Sequence, residues 1–114
     1  MLVPVVIDGM DVPEDGTETV DHVGELLIRI AAREQDSFAR LYDMLSGRVF
    51  GLILRVLVDR AQSEEVLQEV FREIWQPAGR FAPDRGQGRS WVLTIAHRRA
   101  VDRVGSAQAS TDRD

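Results

Sequence analysis

The chain has no cysteine and no lysine. Without cysteine there is neither a disulfide framework nor a thiolate nucleophile, and a reducing compartment suits such a chain. No apolar run approaches the roughly 20 residues that a membrane-spanning helix needs. The opening MLVPVVIDGM lacks the basic start of a secretory signal, and acidic residues follow it. A soluble, cytoplasmic protein is expected. Histidine is nearly absent as well: His22 and His97 stand far apart with no partnered ligand pattern, so no metal site is expected. No strand-patterned run occurs, and hence no phosphate loop of the strand–glycine–helix kind. Nothing in the residues implies a cofactor. The acids Glu64, Glu65, Glu69 and Glu73 lie along one convex helix rather than around a cleft, which argues against acid–base catalysis.

What is present is enough for one modest core, since 44% of the 114 residues are hydrophobic. All fourteen basic residues are arginine. Codon bias in a GC-rich genome is sufficient reason, but guanidinium groups also suit phosphates and carboxylates better than ammonium groups do. The net charge of -5 hides an uneven layout. Residues 1–25 carry seven acids and no base, whereas residues 80–103 carry six arginines against Asp84 and Asp102. An acidic chain therefore has a basic C-terminal quarter.

Residues 1–22, rich in Asp, Glu, Gly and Pro, read as a disordered acidic leader. A short helix is expected from about Val23 to Ala32. Asp36 or Ser37 can cap a long second helix, in which Phe38, Leu41, Tyr42, Leu45, Val49, Leu52, Ile53 and Val56 recur at helical spacing. Gly47 and Gly51 weaken it by about 1 kcal/mol each where exposed. DRAQ reads as a break, and Ser63 followed by Glu64 and Glu65 as the start of a third helix ending near Trp75 or Gln76. Pro77, Gly79, Pro83, Gly86 and Gly88 mark a loop. Ser90 can cap a last helix that fades near Gly105, and residues 106–114 look disordered. The expected class is all-α, four helices in a small bundle over residues 23–105.

Two of these helices carry more polar surface than solvation requires. On the third, Val66, Leu67, Val70, Phe71, Ile74 and Trp75 occupy one half of the helical wheel, with Glu65, Gln68, Glu69, Arg72 and Glu73 on the other. Such an acidic patch could receive arginines from a partner helix, or could simply be solvated. On the last helix, Leu93, Ala96, Ala100 and Val104 are expected to form a buried stripe, with Val92 and Ile95 widening it, while Arg98, Arg99 and Arg103 fall outside it. An intrahelical Arg98–Asp102 pair is the plainest use of one of them. The preceding loop, RFAPDRGQGR, interleaves Arg80, Arg85 and Arg89 with Phe81. That mixture suits single-stranded nucleic acid, and equally it can be a solvated basic loop.

SEEVLQEVFREIW resembles the helix of sigma-70-type factors that docks on the RNA polymerase clamp. FAPDRGQGRSWVLTIAHRRAVDRV resembles the minus-ten-recognition segment of the extracytoplasmic-function (ECF) subgroup. The likeness runs from about residue 24 to residue 104. It implies a sigma region 2 fold, with Gln68, Glu69, Phe71 and Trp75 matching the docking helix's pattern. By that resemblance Glu65, Gln68, Glu69 and Arg72 would face the coiled coil of the largest polymerase subunit, and Phe71 and Trp75 would hold the core. Positions Phe81 to Arg89 match the family's loop that receives a base flipped from the non-template strand. Arg80, Phe81, Arg85, Arg89, Trp91, His97, Arg98 and Asp102 become candidate contacts to the minus-ten element. An anti-sigma factor is implied as a further partner.

The resemblance also implies a second helical domain, region 4, beyond a linker, and nothing after Val104 could form it; an excised region 2 or a truncated factor is expected. Two other readings compete. A helix-turn-helix regulator of double-stranded DNA would need a tight turn before its last helix, not a glycine-rich connection of about fourteen residues. A bundle serving only protein partners would leave the basic loop unused.

Overall fold

A computed structural model describes residues 21–76, 81–82 and 86–113, the last stretch by its backbone alone after Ser106. Among the described residues four helices follow one another: α1 (His22–Ala31), α2 (Gln35–Leu57), α3 (Arg60–Trp75) and α4 (Gly88–Arg113). The described residues contain no strand, and the expected all-α class holds. Of the leader expected over residues 1–22, residues 1–20 lie outside the described residues, whereas Asp21 and His22 are the cap and first residue of α1.

Helix α1 starts where Asp21 accepts a hydrogen bond from the Gly24 amide at 2.9 Å, and Glu25 and Arg29 complement its dipole at either end. It turns into α2 through Arg33, which takes the left-handed conformation at φ 71°. The Arg33 side chain donates to the Trp75 carbonyl at 2.6 Å and stacks 4.6 Å from the indole centroid. That tether joins the α1–α2 turn to the far end of α3. Helix α2 begins at Gln35, one or two residues before the expected caps. Its N-cap is Glu34, which makes no side-chain cap bond and instead accepts from the Ser37 hydroxyl at 3.1 Å.

The start of α3 also differs from expectation. DRAQ is not a break but the cap and first turn: Asp59 accepts from the Gln62 amide at 2.9 Å. Ser63, fully buried, donates its hydroxyl to the Asp59 carbonyl at 2.6 Å inside the helix. Both residues are good caps. The left-handed Val58 (φ 53°) breaks the chain immediately before Asp59, so the earlier cap prevails. Helix α4 likewise begins at Gly88 rather than after Ser90, and continues through Gly105 to Arg113 instead of fading. Its backbone thus includes most of a segment expected to be a disordered tail.

The core is made of one stripe from each helix. Val23, Leu26, Leu27 and Ile30 come from α1; Leu41, Leu45, Val49 and Ile53 from α2; Val66, Val70, Phe71 and Ile74 from α3; Val92, Ile95, Ala96 and Ala100 from α4. The α2 stripe repeats every four residues, the spacing that keeps side chains on one face. Alanines at 96 and 100, both fully buried, let α4 approach closely. Val104, expected in the buried stripe, is exposed and Leu93 is half-buried, because α4 turns Val92 and Ile95 inward instead. Phe38 caps the α2–α3 end edge-on to both Phe71 (6.2 Å) and Trp75 (5.2 Å), so Phe71 and Trp75 do turn inward. No helix among the described residues is long and apolar enough to cross a membrane.

Candidate docking and nucleic-acid faces

The N-terminus of α4 is held by a residue 67 positions earlier. Asp21 caps α1 with one carboxylate oxygen and with the other accepts from the Gly88 amide at 2.8 Å. One carboxylate thereby serves orphan amides at the positive ends of two helices. The helices meet through glycines: a Cβ on Gly88 would lie 2.5 Å from the Gly24 nitrogen and 2.7 Å from its Cα. Phe81 lies over the same junction, close to Gly24 and edge-on to Trp91 with ring centroids 5.7 Å apart. Both rings are half-buried against the core. The loop aromatic expected to meet unstacked bases is thus seated beside Trp91, with part of each ring open to solvent.

Along its α3 edge α4 forms a ladder of ion pairs. Arg98 and Arg99 both donate to Glu73 at 2.6 Å. Arg103 donates to Glu69 at 2.8 Å and to Glu65 at 3.0 Å, and Arg99 reaches Glu69 at 3.5 Å. Glu73 is the most enclosed member, its side chain 18% exposed. Burial by itself would push its carboxyl up, but hydrogen bonds from Arg99 and Arg98 outweigh that and hold it below the ordinary glutamate range.

The acidic patch of α3 does receive arginines from a partner helix, and the partner is in the same chain. This corrects two expectations. Arg98 pairs with Glu73 rather than with Asp102. Glu69, placed by the helical wheel on an outward face, turns toward Arg99 and Arg103 and pairs with both. Side chains 25 to 38 residues apart meet only through the way α4 packs on α3, which no helical wheel of a single element can show.

Outside the ladder α3 presents an exposed row of Glu64, Glu65, Gln68 and Arg72. Neither Gln68 nor Arg72 makes a side-chain hydrogen bond or ion pair among the described residues. Glu65 is shared, its side chain 67% exposed while it accepts from Arg103. On α4 the outward face carries His97, Arg98 and Asp102, all exposed, with half-buried Trp91 one to three turns before them. Arg98 keeps donors beyond the one given to Glu73. Arg89 is exposed in the first turn of α4. Arg80 and Arg85 lie outside the described residues. No group of three His, Asp or Glu side chains gathers into a metal-binding cluster among the described residues.

The family model described as Sigma-70 region 2 matches residues 41–110. The chain belongs to the sigma-70 region 2 family. It is 46% identical over 89 residues to an ECF RNA polymerase sigma factor SigK of a Mycobacterium species (strain KMS), covering 78% of this chain and 46% of that protein. Proteins of the same name from Mycobacterium bovis (strain BCG / Pasteur 1173P2) and Mycobacterium tuberculosis (strain ATCC 25618 / H37Rv) are each 47% identical, again over 78% of this chain and 48% of their own length. The chain thus spans about half the length of the curated relatives it matches. Within region 2, the matched stretch takes in most of α2, all of α3 and nearly all of α4, so both faces described above fall inside it.

Proposed function

We propose that this chain is the part of a bacterial transcription initiation factor that docks on RNA polymerase and reads the promoter minus-ten element. Docking falls to the outward row of α3, with Glu65, Gln68 and Arg72 meeting the clamp coiled coil of the largest subunit. Glu69 sits at the edge of that row and contributes through its share in the ladder. The loop and the exposed face of α4 take the non-template strand as single-stranded DNA, with Arg80, Arg85, Arg89 and Arg98 toward phosphates. Phe81, Trp91, His97 and Asp102 would face bases. Holding an unstacked base selects sequence and favours melting together, because the duplex cannot offer that base. An anti-sigma factor is a further protein partner, and the site of action is the bacterial cytoplasm.

What carries the reading is the division of α3 in a chain of this family: Phe71 and Trp75 turn inward while Gln68 and Arg72 stand exposed and, among the described residues, unengaged. The test is titration of a clamp coiled-coil peptide into wild type and into Gln68→Ala/Arg72→Glu. Neither residue supports the core, so circular dichroism should not change. Saturable binding to wild type that weakens at least tenfold in the variant is expected. Equal binding to both proteins would move docking off this row, and no binding to a folded wild type would refute polymerase docking.

A further inference from the structure

Arg48 and Arg55 point into solvent on α2, and neither makes an ion pair among the described residues. They are seven residues apart, two helical turns and about 10.5 Å along the axis. Between them, Gly51 and Leu52 of α2 and Leu93 of α4 complete a groove of about 340 Å³. Its charged lining is entirely cationic. The cleft between α3 and α4 differs, because there Glu69 and Asp102 sit among the arginines.

Internal packing does not explain Gly51. Glycine weakens a helix interior, and a Cβ at this position would meet nothing within 4 Å. Its effect is to leave the floor of the groove bare between two guanidinium groups, with the half-buried Leu52 and Leu93 forming the apolar walls. Guanidinium forks suit phosphate oxygens, and bare apolar surface suits sugars and base faces. Leu93 also lies one turn after Arg89 on the same side of α4. Arg89 therefore stands one helical turn along α4 from the groove.

We infer that this α2–α4 groove binds the sugar–phosphate backbone of single-stranded nucleic acid, with Arg48 and Arg55 each holding a phosphate and Gly51 admitting the strand. The inference rests on the proposed DNA reading and extends its footprint from the loop across α2. An acidic protein segment would match the charges, but it would not call for the bare, apolar floor.

The experiment is fluorescence anisotropy of a labelled single-stranded minus-ten oligonucleotide against the whole chain over a range of salt. Wild type is compared with Arg48→Gln/Arg55→Gln and with Gly51→Gln. Losing two phosphate contacts should lower the slope of log affinity against log salt by about 1.4, and weaken binding several-fold or more at about 50 mM salt. Gly51→Gln should also weaken binding without altering charge, and since glutamine is the better helix former the fold is kept. Wild-type binding with an unchanged slope in the double variant would overturn the groove assignment alone, and would leave the groove to an acidic protein surface. Absence of any wild-type binding would overturn the DNA reading and the groove together.

Discussion

Along its α3 edge, α4 meets glutamates, and Arg98, Arg99 and Arg103 are held by Glu65, Glu69 and Glu73. Along its α2 edge it meets a groove whose charged lining, among the described residues, is Arg48 and Arg55. The same residue type is neutralised on one side of the helix and left available on the other. Exposed ion pairs contribute little one at a time. Several on one seam, with the most enclosed carboxylate shared between two guanidinium groups, fix the register of α4 on α3. Arginine content alone therefore does not locate a phosphate-binding surface. What locates it is which arginines the neighbouring helix leaves without a carboxylate.

The largest change to this arrangement should come from the point that sets both edges. Gly88→Ala would drive a methyl group into the Gly24 backbone, which cannot rotate away. It should cost about 2–3 kcal/mol of stability, as overpacking of a tight contact does. Urea unfolding reads this directly, and a loss below about 0.5 kcal/mol would mean that α1 and α4 have room to separate.

Breaking the glutamate edge comes next. Glu73→Gln leaves Arg98 and Arg99 without their shared carboxylate and should cost about 1–2 kcal/mol at neutral pH, allowing for the partial exposure of both arginines. The carboxyl's value is lowered in the folded protein. Its contribution is therefore complete above the unfolded glutamate value of about 4.3 and is lost as pH falls through the folded value. The stability gap between wild type and Glu73→Gln should close on acidification. A gap that stays constant to low pH would show that the ladder's ionisation does not matter.

The smallest effect sharpens the contrast. Arg103→Gln should lower stability by about 0.5 kcal/mol, whereas Arg55→Gln, with no carboxylate to lose, should leave the urea midpoint where it is. Equal losses from the two would erase the distinction between the edges.

Much of this was legible in the sequence, because helical periodicity carries it. The stripe Leu41, Leu45, Val49, Ile53 and the inward pair Phe71 and Trp75 follow from spacing within one element. The motifs of α3 and α4 were enough to name the family. What was not legible depends on two elements meeting. The cap of α4 is Asp21, 67 residues away, so the local sequence offers Ser90 in its place, which sits inside the helix. Gly88 read as a loop glycine because its neighbour Gly24 is distant in the chain. The ladder joins faces that each looked open when drawn alone. The groove was missed for the same reason, since Arg48 and Arg55 gain a wall only when Leu93 arrives from α4.

The two edges can be tested against each other in one titration of single-stranded minus-ten DNA over a range of salt, with Arg55→Gln and Arg103→Gln beside wild type. Phosphate binding on the α2 edge predicts that Arg55→Gln lowers the salt slope by about 0.7, the loss of one phosphate contact, while Arg103→Gln leaves it unchanged. A slope that falls for Arg103→Gln and not for Arg55→Gln would contradict it, and would place the phosphate-binding surface on the ladder.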